Sequence, residues 1–494
     1  MSKRYLNWLI RDRKMLLIFT AILYLAVSLI SEGLFGDKSW VSVCSRATVM
    51  SVILLFVLPL TTFAFVHRKQ STDVFFSLPL SRRDQVNTGI VFCTGINFLL
   101  WLAANIGGMI FFRPDVIYFG RFLILAAHTL LWFLSVTVLN TVFFLFANNI
   151  FDGVVMVAAY SFLPVAVLMA VRSFSDSLIA GLTYRAAASI NVTWLSAVAS
   201  GYVNEGELFS FCMNEMENFR FSALYLFALI AGLILGCVAL YYHFIRRKTE
   251  RADMISDDFM AYPLIIHIYL ILTMTAVASS FVFELSESII AWLVLLAIYV
   301  TAMFVYKRRL SLNWKVIAVY VCSAAAVTGL CQAARITKGF GIPESLPLVD
   351  QEEEYTTINY EAYCTSPDLG KAWNGQYDSM VKGVCVHFRL IVRKSEQESC
   401  REALEVVRKL RMVSIAEYYT GENHYTSSGS LSMTPSGKVP LGDVYYPEKY
   451  QYRVITPMNE ADLKTIAKYT NVYADLLEGE SQVLLDTFLK RRGS

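Results

Sequence analysis

The sequence has little charge and lacks the short motifs of several enzyme classes. Its 494 residues contain no G-x-x-x-x-G-K-[ST] phosphate loop, no H-E-x-x-H metal helix and no G-x-S-x-G nucleophile elbow. The six histidines never stand three or four residues apart, so no helix offers a histidine pair to a metal ion. We therefore expect a chain that is not an enzyme and that holds no cofactor or metal of its own.

Closely spaced cysteines are also absent. The nine cysteines form no C-x-x-C pair, and several lie in apolar runs, where thiols behave as small hydrophobic groups. Neither a disulfide framework nor a zinc site is indicated. The net charge of +3 is too small to suggest nucleic acid as a partner, so the position of the charges is more informative than their sum.

What the chain has instead is long apolar stretches. Hydrophobic residues make up 56% and charged residues only 17%, whereas soluble domains have about a quarter charged residues. About 20 apolar residues are needed to cross the ~30 Å core of a bilayer. Nine stretches meet this requirement: 15–31, 42–66, 88–112, 122–146, 153–171, 221–244, 260–282, 288–306 and 314–333. The sequence predicts a polytopic α-helical membrane protein with about nine spans.

Lysine and arginine are distributed unevenly over the connections. With the N-terminus inside, the inner segments carry about 16 of these residues and the outer ones about 6. We therefore expect a multi-pass protein of the cell membrane with a cytoplasmic N-terminus. An odd number of spans then places everything after Cys331 on the outer side.

The composition changes after the last span. Residues 335–494 have an ordinary soluble composition, and their patterns predict an extracytoplasmic α+β domain. "VKGVCVHFRLIV" and "YQYRVITP" read as strands, "SEQESCREALEVVRKLRM" reads as a helix, and "NEADLKTIAKYTNVYADLL" reads as a helix capped by Asn459. Residues 173–220 are semi-apolar and too broken to span, which predicts an interfacial or re-entrant outer hairpin.

One polar, basic segment separates the second and third spans: "HRKQSTDVFFSLPLSRRDQV", residues 67–86. Pro79 disfavours helix at Leu78, so a short helix should end there. Ser81, with Asp84 three residues later, should then cap the next helix. The short helix has two interpretations: its phenylalanines dip into lipid beside basic residues, or they enter a groove on a cytosolic partner.

This segment resembles the loop after the second span in bacterial type-2 ABC transporter permeases. The family pattern is close to S-x-x-x-D-x-x-x-S-L-P-[IL]-[ST]-R, and comparable places are occupied by Ser71, Asp73, Ser77, Leu78, Pro79, Ser81 and Arg82. The first serine lies nearer to the aspartate than in the pattern. "RRKTERAD", residues 246–253, is similar to a second family segment, R-K-x-E-x-A-G, with Asp253 in place of the glycine.

The resemblance covers about the first 250 residues and implies the membrane-spanning permease subunit of an ABC exporter. Residues 1–250 would form a six-span permease core, 251–334 three further spans, and 335–494 the outer domain. Such a subunit dimerises with a second permease, identical or different. It is driven by a separate cytosolic ATPase, which binds the ATP and Mg; the bilayer is its other partner, and no nucleic acid is expected.

The resemblance also implies a coupling loop that contacts the ATPase. The expected contact surface and the residues that set its shape are Ser71, Asp73, Val74, Phe75, Phe76, Ser77, Leu78, Pro79 and Arg82. An alternative is a membrane-anchored sensor or resistance protein whose outer domain binds an envelope ligand or an antimicrobial peptide. A membrane enzyme would require polar catalytic groups clustered within the spans, and the sequence offers no such cluster.

Overall fold

The structure is a computed structural model. It describes residues 3–27, 40–112, 119–182, 197–213, 220, 223–256, 258–282, 288–308, 314–349, 355–365, 383–420, 429–436, 450–454, 458–470 and 472–476. Within these residues the chain divides into two compact units. The first unit comprises 1–167, 191–269 and 301–311, and the second comprises 168–190, 270–300 and 312–494.

Helices dominate the first 345 residues. They are α1 (Lys3–Asp12), α2 (Lys14–Leu25), α3 (Trp40–Phe63), α4 (Lys69–Ser77), α5 (Arg82–Phe112), α6 (Phe119–Leu145), α7 (Ile150–Leu178), α8 (Ala197–Cys212), α9 (Ala223–Arg246), α10 (Tyr262–Ser280), α11 (Ser288–Lys307), α12 (Trp314–Ile336) and α13 (Ile342–Ser345). Short 3₁₀ turns cover Ala64–His67, Thr249–Arg251 and Gly339–Gly341.

Eight of these helices are long and apolar enough to cross a membrane, namely α3, α5, α6, α7, α9, α10, α11 and α12. They correspond to eight of the nine predicted spans. The first predicted span, 15–31, lies partly outside the described residues, and its described part is the 12-residue helix α2. The length and composition of these helices are therefore those of a helical membrane protein.

The core of the first unit is organised around α6. This helix packs against α3, α5, α8 and α9. Its apolar side chains interleave with aromatic residues of the neighbouring helices, and Trp101 and Trp132 are fully buried. Of the predicted outer hairpin, residues 183–196 and 214–219 lie outside the described part, whereas α8 packs on α6.

The second unit contains an antiparallel sheet of six strands: β1 (Gly181–Leu182), β2 (Tyr355–Thr365), β3 (Gly383–Arg393), β4 (Gly429–Ser436), β5 (Tyr450–Val454) and β6 (Val472–Leu476). Their order is β1-β5-β4-β2-β3-β6. Two helices, α14 (Arg401–Thr420) and α15 (Glu460–Ile466), contribute apolar side chains to the core of the sheet. Alternate residues of β2, such as Ile358, Tyr360 and Ala362, face this core.

The predicted α+β pattern of this region is confirmed, with one exception. The strands at 383–393 and 450–454 and the helix at 401–420 follow the predicted patterns, and Asn459 caps α15 by accepting a hydrogen bond from the amide of Asp462 at 2.8 Å. The prediction of one helix through residue 477 was wrong. The helix ends at Ile466, and 472–476 form β6, whose valine, tyrosine and leucine pair with β3.

The edge strand β1 comes from a distant part of the sequence and pairs with β5. Gly181 has a φ of 88°, and a Cβ there would lie 2.3 Å from the ring of the buried Tyr452. The neighbouring amide of Ala180 donates to the hydroxyl of Tyr419, which itself donates to the carbonyl of Leu178 at 2.7 Å. Glycine is required at position 181 for both its backbone angle and its lack of a side chain.

We predict that Gly181→Ala destabilises the second unit by at least ~2 kcal/mol, because alanine is strained at positive φ and would overpack Tyr452. The thermal unfolding temperature should fall, and amide exchange in β5 should accelerate. Gly329→Ala is the matched control, since no atom lies within 4 Å of the added Cβ. Equal behaviour of the two variants would contradict this account of the edge strand.

Candidate functional site

The segment that carries the family resemblance forms the short helix α4. As predicted, the helix ends at Ser77, with Leu78 in an extended conformation before Pro79. The predicted cap of α5 is also present: the amide of Asp84 donates to the Ser81 hydroxyl at 3.1 Å, and that hydroxyl donates to the Asp84 carboxylate at 2.8 Å. Local sequence signals thus set both ends of the loop.

One face of α4 is turned towards the first unit's own core. Phe75 stacks on Phe65 with ring centroids 4.2 Å apart and meets Trp8 edge-on at 5.8 Å. Phe76 packs edge-on against Phe244 at 5.9 Å. Because both rings have aromatic partners within the chain, they anchor α4 and are half-buried.

The opposite face of α4 is open. Val74 is 61% exposed and Leu78 36% exposed, and Asp73, Ser77 and Pro79 are also exposed. This division differs from the sequence interpretation, which assigned both phenylalanines to the outward surface. The predicted site residues therefore fall on two faces, and Ser71 is half-buried between them.

Arg82 joins the loop to the end of another helix. Its Nη1 donates to the carbonyls of Ile245 and Arg247, at 2.6 and 2.9 Å, and its guanidinium lies 4.1 Å above the ring of Phe76. A cation in the first turn of α5 opposes that helix's own dipole, but here it satisfies carbonyls at the C-terminal end of α9. Arg82 thus fixes the position of α4 relative to α9.

The second resemblance segment supplies the N-terminal cap of α4. The amide of Lys69, the first residue of α4, donates to Oδ2 of Asp253 at 3.3 Å. Asp253 has a φ of 65°, a left-handed conformation that glycine adopts freely and aspartate tolerates. Aspartate can therefore occupy a position for which the pattern that the segment resembles has glycine. Its own amide donates to the carbonyl of Asn148 at 2.9 Å.

Arg247, in the same segment, is buried and satisfies carbonyls at the end of α6. Its Nη1 donates to Leu145 O and its Nη2 to Ala147 O, each at 2.8 Å, and Nη2 lies 3.3 Å from Nδ1 of His67. Burial lowers the pKa of Arg247 to about 10, which leaves it charged at neutral pH. The two segments that carry the resemblance therefore meet in one site.

Several residues of this site were not anticipated from the sequence. Asp253 was noted only as a departure from the pattern, and Gln85 was not considered, although its Nε2 donates to the carbonyl of Phe75 at 2.8 Å. The buried Thr72 donates to the carbonyls of Phe65 and Arg68. Only the tertiary contacts of these side chains reveal their roles.

A separate polar cluster lies within the helices of the first unit. Oε1 of Glu205 on α8 accepts hydrogen bonds from Thr48 Oγ1 at 2.6 Å and from Trp101 Nε1 at 2.9 Å. Glu205 is 2% exposed, and its Oε2 has no hydrogen-bond partner among the described residues. No sequence pattern indicates that these three residues meet, because more than 50 positions separate each pair in the chain.

Among the described residues, no group of three or more His, Cys, Asp or Glu side chains is placed to hold a metal ion. Comparison of the chain with protein-family models, with curated proteins and with solved structures gave no match. The site is therefore characterised by its own geometry: a short helix anchored on one face, capped from a distant segment and exposed on the other face.

We predict that substitutions at Asp253 destabilise α4 least when the new residue is asparagine, more when it is glycine and most when it is alanine. Asparagine keeps an acceptor and tolerates positive φ, and glycine loses only the cap, worth ~1 kcal/mol. Alanine loses the cap and adds roughly 1 kcal/mol or more of backbone strain. Amide exchange over residues 69–77 of the purified full chain measures the effect. An alanine variant that protects these amides as well as the parent would show that Asp253 does not cap α4.

Proposed function

We propose that this chain is the membrane-spanning permease subunit of an ABC exporter, driven by a separate cytosolic ATPase that docks on the exposed face of α4. The observation that carries the proposal is the division of α4 into an anchored face and an open face. The partner surface consists of Asp73, Val74, Ser77, Leu78 and Pro79, and Phe75, Phe76 and Arg82 hold it in place.

The apolar part of the open face supports docking. An exposed valine and leucine beside a proline, rimmed by an aspartate and a serine, make a small apolar centre with a polar edge, which is the usual anatomy of a protein interface. The adjacent turn is tight, since the amide of Leu80 donates to the carbonyl of Leu78 at 2.7 Å. A preformed surface of this kind loses little conformational entropy on binding.

The anchored face supports a mechanical role. Arg82 connects α4 to the end of α9, Asp253 connects it to the segment after α9, and Gln85 connects it to α5. A force applied to α4 by a partner would therefore reach two candidate spans through hydrogen bonds and aromatic packing. Such a connection is required in a subunit whose conformational change is driven by a partner outside the membrane.

The proposal includes a topology. From the excess of lysine and arginine in the inner segments we infer that α4 faces the cytoplasm, where the ATPase would be, and that the sheet of the second unit lies on the outer side. Dimerisation with a second permease and the binding of ATP and Mg by the partner also belong to this proposal, as consequences of the family resemblance.

We predict that Val74→Asp combined with Leu78→Asp abolishes copurification of an ATPase subunit and the ATPase activity of the purified complex. Both changes place charge in the centre of the docking surface, where a loss of ~2 kcal/mol or more is typical of central apolar contacts. Thermal unfolding of the chain should not change, because both side chains are exposed. The measurement is subunit stoichiometry and nucleotide hydrolysis after affinity purification from the native host.

The matched control is Met412→Asp with Val413→Asp on α14, where the two apolar side chains are 39% and 38% exposed. This pair should leave the ATPase bound.

In contrast, Phe75→Ala with Phe76→Ala should lower both thermal stability and ATPase recovery, since those rings anchor α4. A Val74 and Leu78 double variant that still recovers its ATPase at the parent yield would refute docking on this face.

A second prediction concerns topology. A cysteine introduced at Ser395, an exposed position in the second unit, should react with a membrane-impermeant maleimide in intact cells, whereas one at Ser77 should react only after the membrane is opened. Both should react equally in detergent, and the parent chain gives the background. Labelling of Ser77→Cys alone in intact cells would reverse the assignment.

A further inference from the structure

A basic cavity of about 370 Å³ lies in the first unit at the ends of three candidate spans. Its walls come from the C-terminal ends of α6 and α9 and from the segment that leads into α10. The volume is in the range of small-molecule sites, ~300–1,000 Å³. Because candidate spans end here, the cavity opens where the apolar part of a bilayer gives way to its headgroups.

The charge of the cavity is strongly positive. Among the described residues, four cationic side chains, Arg246, Arg247, Lys248 and Arg251, line it together with one carboxylate, that of Asp258. Arg251 is paired with this carboxylate at 2.9 and 3.0 Å. The charge of Arg251 is therefore largely balanced by Asp258, and the other three cations determine the electrostatic potential of the cavity.

The other cations differ in how they are held. Arg247 is fixed by the carbonyls at the end of α6, and its Nε is buried without a hydrogen-bond partner among the described residues. Arg246 lies over the ring of Tyr242 at 4.3 Å, and Lys248 is exposed. One fixed guanidinium beside two accessible cations forms a site suited to an oxyanion with several acceptor oxygens, such as a phosphate group.

The rim of the cavity is apolar. Phe259 is 71% exposed and Met260 39% exposed, and both line the cavity. Tyr242, also on the wall, is 53% exposed. A free phosphate ion would not bury these side chains. A ligand that carries an acyl chain beside its phosphate would bury them, and this burial would add to its binding free energy.

We infer that this cavity binds the headgroup phosphate of an anionic phospholipid, with Arg246, Arg247 and Lys248 around the phosphate and Phe259 against the glycerol and acyl region. Basic pockets between helix ends at a membrane surface bind anionic headgroups through this combination of charge and apolar contact. The inference goes beyond the permease function and does not depend on it, since it requires no ATPase and no particular orientation.

The site also shares a segment with α4. The segment 246–253 contributes Arg246, Arg247, Lys248 and Arg251 to the lining of the cavity, and its last residue, Asp253, caps α4. A lipid bound here would rigidify the segment that positions α4.

The test uses the purified full chain in detergent with phosphatidylcholine, titrated with phosphatidylglycerol and followed by native mass spectrometry. Arg246→Gln with Lys248→Gln should weaken phosphatidylglycerol binding on the order of tenfold, because each basic residue near a headgroup contributes a factor of several. The control pair Arg11→Gln with Lys14→Gln removes two exposed charges on α1 and α2 and should change binding by less than about twofold.

Two further variants test the chemistry. Asp258→Asn should strengthen phosphatidylglycerol binding, because it removes the carboxylate that pairs with Arg251 and so releases that guanidinium; a misfolded chain would not produce such a gain. Phe259→Ser should weaken binding of the lipid but leave binding of glycerol 3-phosphate and of inorganic phosphate unchanged.

The outcomes separate lipid from free phosphate. Equal affinity for phosphatidylglycerol and for glycerol 3-phosphate, with no effect of Phe259→Ser, would show a soluble phosphate site and overturn the lipid assignment. Parent-like lipid binding by a folded Arg246 and Lys248 double variant would overturn the site itself. Loss of binding in that variant alone, with the Arg11 and Lys14 pair unaffected, supports it.

Discussion

The end of the helical bundle that carries α4 depends on arginine side chains bound to the carboxyl ends of helices. The last turn of every helix leaves carbonyls without partners, and such groups are costly where water is scarce. Arg247 satisfies carbonyls that follow α6, and Arg82 satisfies carbonyls at the end of α9. Both interactions join parts of the chain 100 or more residues apart, so they fix the relative positions of the helix ends.

The properties of α4 follow from this arrangement. Since Arg82 lies over Phe76 and binds the end of α9, the aromatic face of α4 has to turn inwards, and Val74 and Leu78 are left outside. A nine-residue helix is unstable alone in water, and here its stability comes from packing and from caps supplied by other segments. An anchored element with a free surface is what our proposal of a docking helix requires, and the same anchoring segment lines the basic cavity.

In the second unit, the fold is determined mainly by the alternation of apolar and polar residues along the strands. β2 and β3 pair in register over 11 residues, and α14 covers the sheet with an apolar face. The sequence predicted β3, β5 and α14 from their periods alone. It misassigned 472–476 because a five-residue strand next to a helix has too few residues for its period of two to stand out. β1, with two residues, has no period at all.

Features that depend on neighbours in the chain could be predicted from the sequence: eight apolar helices, the end of α4 before Pro79, and the caps at Ser81 and Asn459. Hydropathy, proline geometry and capping act over a few residues, so they can be read without the fold. The buried face of α4, the cap from Asp253 and the contacts of Glu205 with Thr48 and Trp101 are visible only in the fold. The contacts of Asp253 and Glu205 join segments 104 to 184 residues apart, and their partners are set by the path of the chain through the bundle rather than by any local preference of the residues.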